Sequence, residues 1–190
     1  SLYEDAWVYN DTLKRMIKKD LTIVPALYKI FDEVLVNAVD QYTRTKDDPD
    51  VTDKVTKIDV TINAEENFIS VYNNGKGFDV AMHEEQNKWV PQMILGQLRS
   101  GQNYDKTEEK IVGGKNGFGA KLANIFSLKF LIETVDAERK LKYKQTFQNN
   151  MSEVGKPSIT KCSGKPYTRI TYYPDLEKFG VTEMNADIVD

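Results

Sequence analysis

In 190 residues the sequence holds one cysteine, Cys162, and one histidine, His83. A single cysteine excludes an internal disulfide and any cysteine-cluster metal site, and it suits a reducing compartment. The lone histidine stands beside Glu84 and Glu85 with no cysteine or histidine partner near it in sequence, so it reads as a surface residue without a role. A dominant charge is missing too: 26 Lys and Arg against 29 Asp and Glu leave a formal −3. The chain as a whole therefore has no electrostatic reason to hold nucleic acid, and any such contact must be local. No apolar run is long enough to cross a membrane. No charged-then-apolar leader follows Ser1, and a first residue other than methionine suggests a piece of a larger protein.

What is present is the balance of a soluble globular domain, 40% apolar and 29% charged. That excludes disorder, and the length suits one domain over 1–190 with a real core. Its organising stretch is 24–44, VPALYKIFDEVLVNAVDQYTR. Leu27, Ile30, Phe31, Val34, Leu35, Ala38 and Tyr42 recur at three- and four-residue steps, which predicts an amphipathic helix on a core. Thr22 is placed to cap it, and Pro25 suits its first turn. On the other side, at about 100° per residue, Glu33, Asn37, Asp40 and Arg44 fall within an arc of roughly 60°. Such a polar stripe is ordinarily solvated. Here two glycine-rich turns follow it, NNGKG at 73–77 and GGKNGFGAK at 113–121, and the three together read as a nucleotide site.

Along the rest of the chain, residues 1–20 read as a lead-in arm without sustained periodicity. Segments 57–62 and 68–72 alternate as two strands of a hairpin, and the second strand delivers the first glycine turn. Residues 90–98 suggest a short helix. Periodicity vanishes over 99–119, and a stretch that long is either a functional lid or disordered. Leu122, Ile125 and Phe126 then mark a helix over 118–126. Strands at 129–135, 141–148, 158–162 and 168–173 have short connections. The expected fold is α+β, a two-layer sandwich with a mixed, mostly antiparallel sheet and its helices on one face.

Glu33 and Asn37 stand one helical turn apart, so a carboxylate and an amide oxygen reach the same point. The amide oxygen suits Mg²⁺, which takes few protein ligands, and Glu33 is placed to accept a proton from attacking water. Asp40 either holds the helix to a strand or orients Arg44. In Asn74-Gly75-Lys76-Gly77 two close glycines permit a backbone approach that side chains would forbid, although Asn-Gly is also the commonest tight turn. The 113–121 segment offers backbone N–H groups to an anion where a loop becomes a helix, with Lys121 adding charge. It lacks the Gly-Lys-Ser/Thr ending of one common phosphate loop, and Leu122 breaks the G-x-G-x-x-G pattern of the other.

The runs D-E-x-x-x-N-A-x-D at 32–40, N-G-x-G at 74–77 and G-x-x-G-x-G at 114–119 resemble, in order, the motifs of the gyrase, chaperone, histidine-kinase and MutL ATPase superfamily (GHKL, or Bergerat fold). Within it LYKIFDEVLVNAVD, YNNGKGF, GQLRSGQNYD, GGKNGFGAKLANIFS and YKQTFQNNM are similar to the ATPase domain of eukaryotic-type DNA topoisomerase II. The likeness covers nearly the whole chain.

That resemblance implies ATP and Mg²⁺ as cofactors, Glu33 as general base and Asn37 as Mg²⁺ ligand. It makes Asn74 the adenine-side residue. Gln41, Arg44, Lys76, Gly77, Asn103, Gly114, Asn116, Gly117, Phe118, Gly119, Ala120 and Lys121 fall on nucleotide-contact positions, and 99–119 becomes an ATP lid. Two departures concern the pocket: the family carries Asn at the position of Gln41 and serines at those of Gly101 and Gln102, so altered nucleotide or inhibitor affinity is expected. A transducer lysine and an N-terminal strap would lie outside this chain, so it should bind ATP and turn it over slowly. For the intact protein the resemblance implies a homodimer, a DNA partner engaged through the full-length enzyme, and the nucleus. Competing readings are the ATP-operated clamp of a repair protein or chaperone, a histidine-kinase catalytic domain, and a nucleotide-binding module without hydrolysis. Glu33 argues against the last two, since neither has a use for activated water.

Overall fold

The structure is a computed structural model and describes residues 2–10, 12–97, 119–181 and 184. Strands β1 (Leu2–Asn10) and β2 (Arg15–Thr22) pair antiparallel as a separate hairpin. The segment expected as a lead-in arm is thus extended and paired. Its turn is closed locally: Leu13 N–H donates to Asn10 Oδ1 at 2.8 Å, and Lys14 takes a positive φ. Helix α1 (Pro25–Lys46) follows. Val24, not Thr22, occupies its N-cap position, because Thr22 is the last residue of β2 and already spent in the hairpin. Val24 offers only its carbonyl, accepting from Tyr28 N–H at 3.2 Å.

Strands β3 (Ile58–Asn63) and β4 (Phe68–Asn74) form the expected hairpin. A small hairpin of β5 (Met82–His83) and β6 (Lys88–Trp89) then leads into α2 (Val90–Gly96). His83 serves that turn, its Nδ1 accepting from Gln86 N–H at 3.3 Å. After α3 (Gly119–Ile125) come β7 (Ser127–Asp136), β8 (Leu141–Gln148), β9 (Glu153–Val154), β10 (Ser158–Lys161) and β11 (Tyr167–Pro174). The large sheet runs β10-β8-β7-β11-β4-β3, with β9 on β8, and its pairings among the described residues are antiparallel throughout.

Alternation along the strands separates two faces. Ile69, Val71, Phe130, Ile132, Ile170 and Tyr172 point inward and are buried with Ile30, Phe31, Val34 and Ala38 of α1. This is the helix layer on one sheet face that the sequence predicts. One detail differs. Tyr42, expected in the core, is 44% exposed, while Asn37, Gln41 and Thr45 are buried. The buried arc of α1 is turned toward its polar stripe, so that stripe borders the core instead of opposing it. Thr45 shows why amides and hydroxyls are tolerated there: its hydroxyl donates to Gln41 O at 2.9 Å and accepts Val55 N–H at 3.1 Å, tying the 47–57 loop to the helix.

Candidate functional site

Helix α1 packs against α3 and β4, with Glu33 of its polar stripe at the start of α3. Gly119 brings two of these elements together. A Cβ on Gly119 would overlap the Glu33 carboxylate, so only glycine lets the first residue of α3 lie against that side chain. Glu33 is mostly covered and accepts an ion pair from Lys29 Nζ at 2.8 Å, one helical turn earlier. In return Glu33 holds the Lys29 ammonium above its usual pKa, its hydrogen bond being the larger cause and its charge the next. Lys29 was not foreseen as a site residue; its i, i+4 spacing from Glu33 is the signal that could have marked it.

Further along the same stripe, Asn37 and Gln41 are 3% and 4% exposed. Arg44 is largely buried, and burial lowers its pKa against the opposing charges of Asp40 and Asp79. Of the two roles open to Asp40, the electrostatic one toward Arg44 therefore has support. On α3, Ala120 and Lys121 are buried.

The glycine turn after β4 is held in place by backbone needs. Gly75 has φ +83°, and a Cβ there would lie 2.6 Å from the Lys54 carbonyl. Its N–H donates to Pro166 O at 3.0 Å, and Lys76 N–H donates to Asp53 O at 2.7 Å. A Cβ at Gly77 would collide with the Thr168 hydroxyl, which bonds Thr134 Oγ1 at 2.9 Å. The exit of the turn is clasped by Asp136, whose carboxylate accepts from Val80 N–H and Arg139 Nη1, both at 2.9 Å.

Strand parity decides which asparagine looks inward. Asn73 shares a face with Ile69 and Val71, is 2% exposed, and lies opposite the buried Thr168 of β11. Asn74, the expected adenine-side residue, points to the other face. There its Oδ1 accepts from Thr56 N–H and Lys57 N–H, both at 2.9 Å, and its Nδ2 donates to Thr56 Oγ1 at 2.8 Å. Its amide is engaged in holding the 56–57 segment, and Asn73 is the asparagine of this turn on the inward face. The alternation of Ile69, Val71 and Asn73 is the sequence signal for that facing, and Thr168 follows from its register with Asn73.

The Lys76 side chain is exposed and extends toward Glu138 at 4.0 Å. A cavity of about 310 Å³ opens there, lined by Gly77, Phe78, Asp79, the 50–53 loop and the β7–β8 turn. Neither Glu33 nor Asn37 lines it, so it adjoins the α1 face without containing it. Asn103, Gly114, Asn116, Gly117 and Phe118, with 99–118 of the expected lid and the Gly101-Gln102 departure, lie outside the described residues.

Among the described residues no group of three or more His, Cys, Asp or Glu gathers as a metal cage. Glu33 and Asn37 instead offer one carboxylate and one buried amide a turn apart. The hard, neutral amide oxygen of Asn37 suits Mg²⁺, which takes few protein ligands.

The family model of histidine kinase-, DNA gyrase B- and HSP90-like ATPases matches residues 22–174. The DNA topoisomerase 2 of Plasmodium falciparum is 48% identical over 182 residues, covering 96% of this chain and 13% of that protein. That of Saccharomyces cerevisiae is 47% identical over 184 residues, covering 96% and 12%. This chain therefore spans a small fraction of those relatives. Among solved structures, the ATPase region of Saccharomyces cerevisiae topoisomerase II superposes with a TM-score of 0.81 at 45% identity, over 99% of this chain and 48% of that one.

Proposed function

The chain belongs to the histidine kinase-, DNA gyrase B- and HSP90-like ATPase family, and from that premise we propose that it is the ATP-binding and hydrolysing domain of a type II DNA topoisomerase. The observation that carries the reading is the apposition of Gly119 and Glu33. It puts a carboxylate at the junction between the helix that bears Asn37 and the segment that follows the second glycine turn. Nucleotide phosphates lie between these elements, with Arg44 and Lys121 supplying positive charge and the backbone at Gly119 and Ala120 approaching closely. The adenine ring enters beside Asn73 and Thr168, where an amide and a hydroxyl sit at the rim of an apolar sheet face.

Hydrolysis needs little covalent help from the protein; positioning and charge do most of the work. Glu33 accepts the proton of the water that attacks the γ-phosphate, and Lys29 orients that carboxylate from the preceding turn. Asn37 would hold Mg²⁺, which would neutralise charge on the phosphates. Residues 1–190 act as one unit in this reading, with the β1–β2 hairpin as its arm and 99–119 as the lid. The partners of the intact protein are a second copy of itself and duplex DNA, in the nucleus, with ATP closing a dimer gate that drives duplex passage. Support for the topoisomerase assignment is likeness that extends beyond the three motifs, over 96% of the chain.

The test is calorimetric binding of a non-hydrolysable ATP analogue with and without Mg²⁺, beside Asn37→Ala, together with hydrolysis by the intact protein carrying Glu33→Gln. Metal-dependent binding weakened by Asn37→Ala, and hydrolysis abolished by Glu33→Gln with binding retained, are the expected results. Unchanged hydrolysis in Glu33→Gln would falsify the assigned base. DNA-stimulated hydrolysis with supercoil relaxation separates a topoisomerase from a repair or chaperone clamp.

A further inference from the structure

The sheet face turned away from the three helices is covered by no element among the described residues. Strand parity puts three carboxylates on it, Asp59, Glu133 and Glu153, against five cations, Lys57, Lys129, Lys142, Lys144 and Arg169. On a chain of formal charge −3, this face carries an excess of positive charge. All three carboxylates are engaged: Asp59 pairs with Lys57 at 3.1 Å, Glu133 takes Lys142 at 3.0 Å, Lys144 at 3.7 Å and the Tyr167 hydroxyl at 2.8 Å, and Glu153 accepts from Asn149 Nδ2 at 2.7 Å.

Arg169 is the centre of the arrangement. It lies over the Tyr72 ring at 5.2 Å, a contact that fixes the guanidinium plane without cancelling its charge. It lines both shallow grooves of the face, one of about 620 Å³ with Lys57, Ser70 and Thr171, the other of about 140 Å³ with Lys144 and Thr146. Lys57 and Lys144 stand four strands apart, about 19 Å at the usual strand spacing.

We infer that this sheet face docks the phosphate backbone of duplex DNA, with Arg169 at the centre and Lys57 and Lys144 flanking it. Cations spread over an open surface, interleaved with hydroxyls, match a polymer of phosphates better than one small anion. The aromatic rings favour a duplex over a single strand. Tyr72 is capped by Arg169 and packs on Tyr167, which has Lys142 above it at 5.9 Å, so these rings are occupied and give unpaired bases no stacking platform. The inference rests on the proposed function only for its choice of DNA as the anionic polymer; the charge argument stands apart from the ATP site.

Fluorescence anisotropy of a labelled duplex of about 30 base pairs tests it, titrated with the chain over about 25–200 mM salt. Affinity falls about 0.9 decades per decade of salt for each phosphate neutralised, so Arg169→Gln with Lys144→Gln should cost about 60-fold at 0.1 M and make the slope shallower by about 1.8. Lys57→Gln alone should cost about eightfold by the same relation, and Glu133→Gln should bind more tightly. Lys178→Gln, outside the face, should change nothing. Analogue binding at the ATP site, measured on the same samples, should be unchanged, which keeps failure here distinct from failure of the ATP reading. Equal affinity and slope in wild type and the double variant would overturn the inference, as would no duplex binding at the lowest salt. Equal loss for the unpaired strand would overturn the duplex assignment.

Discussion

Gly119→Ala isolates the apposition on which the proposed chemistry depends. Gly119 does not adopt positive φ, so alanine meets no backbone strain, and in a helix it is favoured over glycine by roughly 0.5–1 kcal/mol. The new methyl group instead takes the space of the Glu33 carboxylate. Glu33 must swing away, giving up its exposed pair with Lys29, a small loss. The two stability effects oppose each other, so the melting temperature should move little. Catalysis has no such compensation: a shift of about 1 Å in a reacting group costs on the order of 100-fold, equivalent to about 2.7 kcal/mol of barrier. Steady-state hydrolysis by the intact protein should therefore drop about 100-fold while analogue affinity, read by calorimetry, stays within a few-fold. In a Glu33→Gln background, Gly119→Ala should add almost nothing, because both changes act on the same carboxylate. Hydrolysis within twofold of wild type, or full additivity in the double variant, would refute the reasoning.

The two neighbouring asparagines should part company: Asn73→Ala should weaken analogue binding about tenfold through one lost ligand hydrogen bond. Asn74→Ala should leave affinity alone and destabilise by about 1–2 kcal/mol in urea unfolding, since two backbone donors at 56–57 lose their acceptor. Gly75→Ala should be more damaging to folding, by about 2 kcal/mol or more, from its left-handed φ and the Lys54 backbone in its path. Burial pushes the Glu133 carboxyl up, but hydrogen bonds from Tyr167 and Lys142 outweigh it and leave the net shift downward. The folded protein thus binds fewer protons at this site than the unfolded chain, and the stabilisation is present above the ordinary carboxylate pKa of 4.5 and fades as pH falls below it. Urea titrations of wild type and Glu133→Gln should show a constant wild-type advantage above that pH which shrinks in more acid solution; an advantage that grows on acidification would contradict it.

Local periodicity carried the fold a long way. The α1 repeat, the β3–β4 hairpin and the strands after α3 were all legible, because helices and strands bury one face with their own period whatever lies opposite. The polar stripe of α1 and the glycines at 75 and 77 were legible for the same local reason. Tertiary structure alone decided how far α1 is rolled on the sheet, which buried Gln41 and exposed Tyr42. It also chose Val24 as the cap, since pairing in the β1–β2 hairpin had already claimed Thr22. The facing of Asn73 lay in strand parity, yet only the sheet revealed that Asn74 is occupied by the 56–57 backbone. The contacts of Gly119 with Glu33 and Thr168 with Gly77 could not be read from any window of sequence. Each joins segments remote in the chain, and such meetings are set by how the helix layer seats on the sheet, a property of the packed whole.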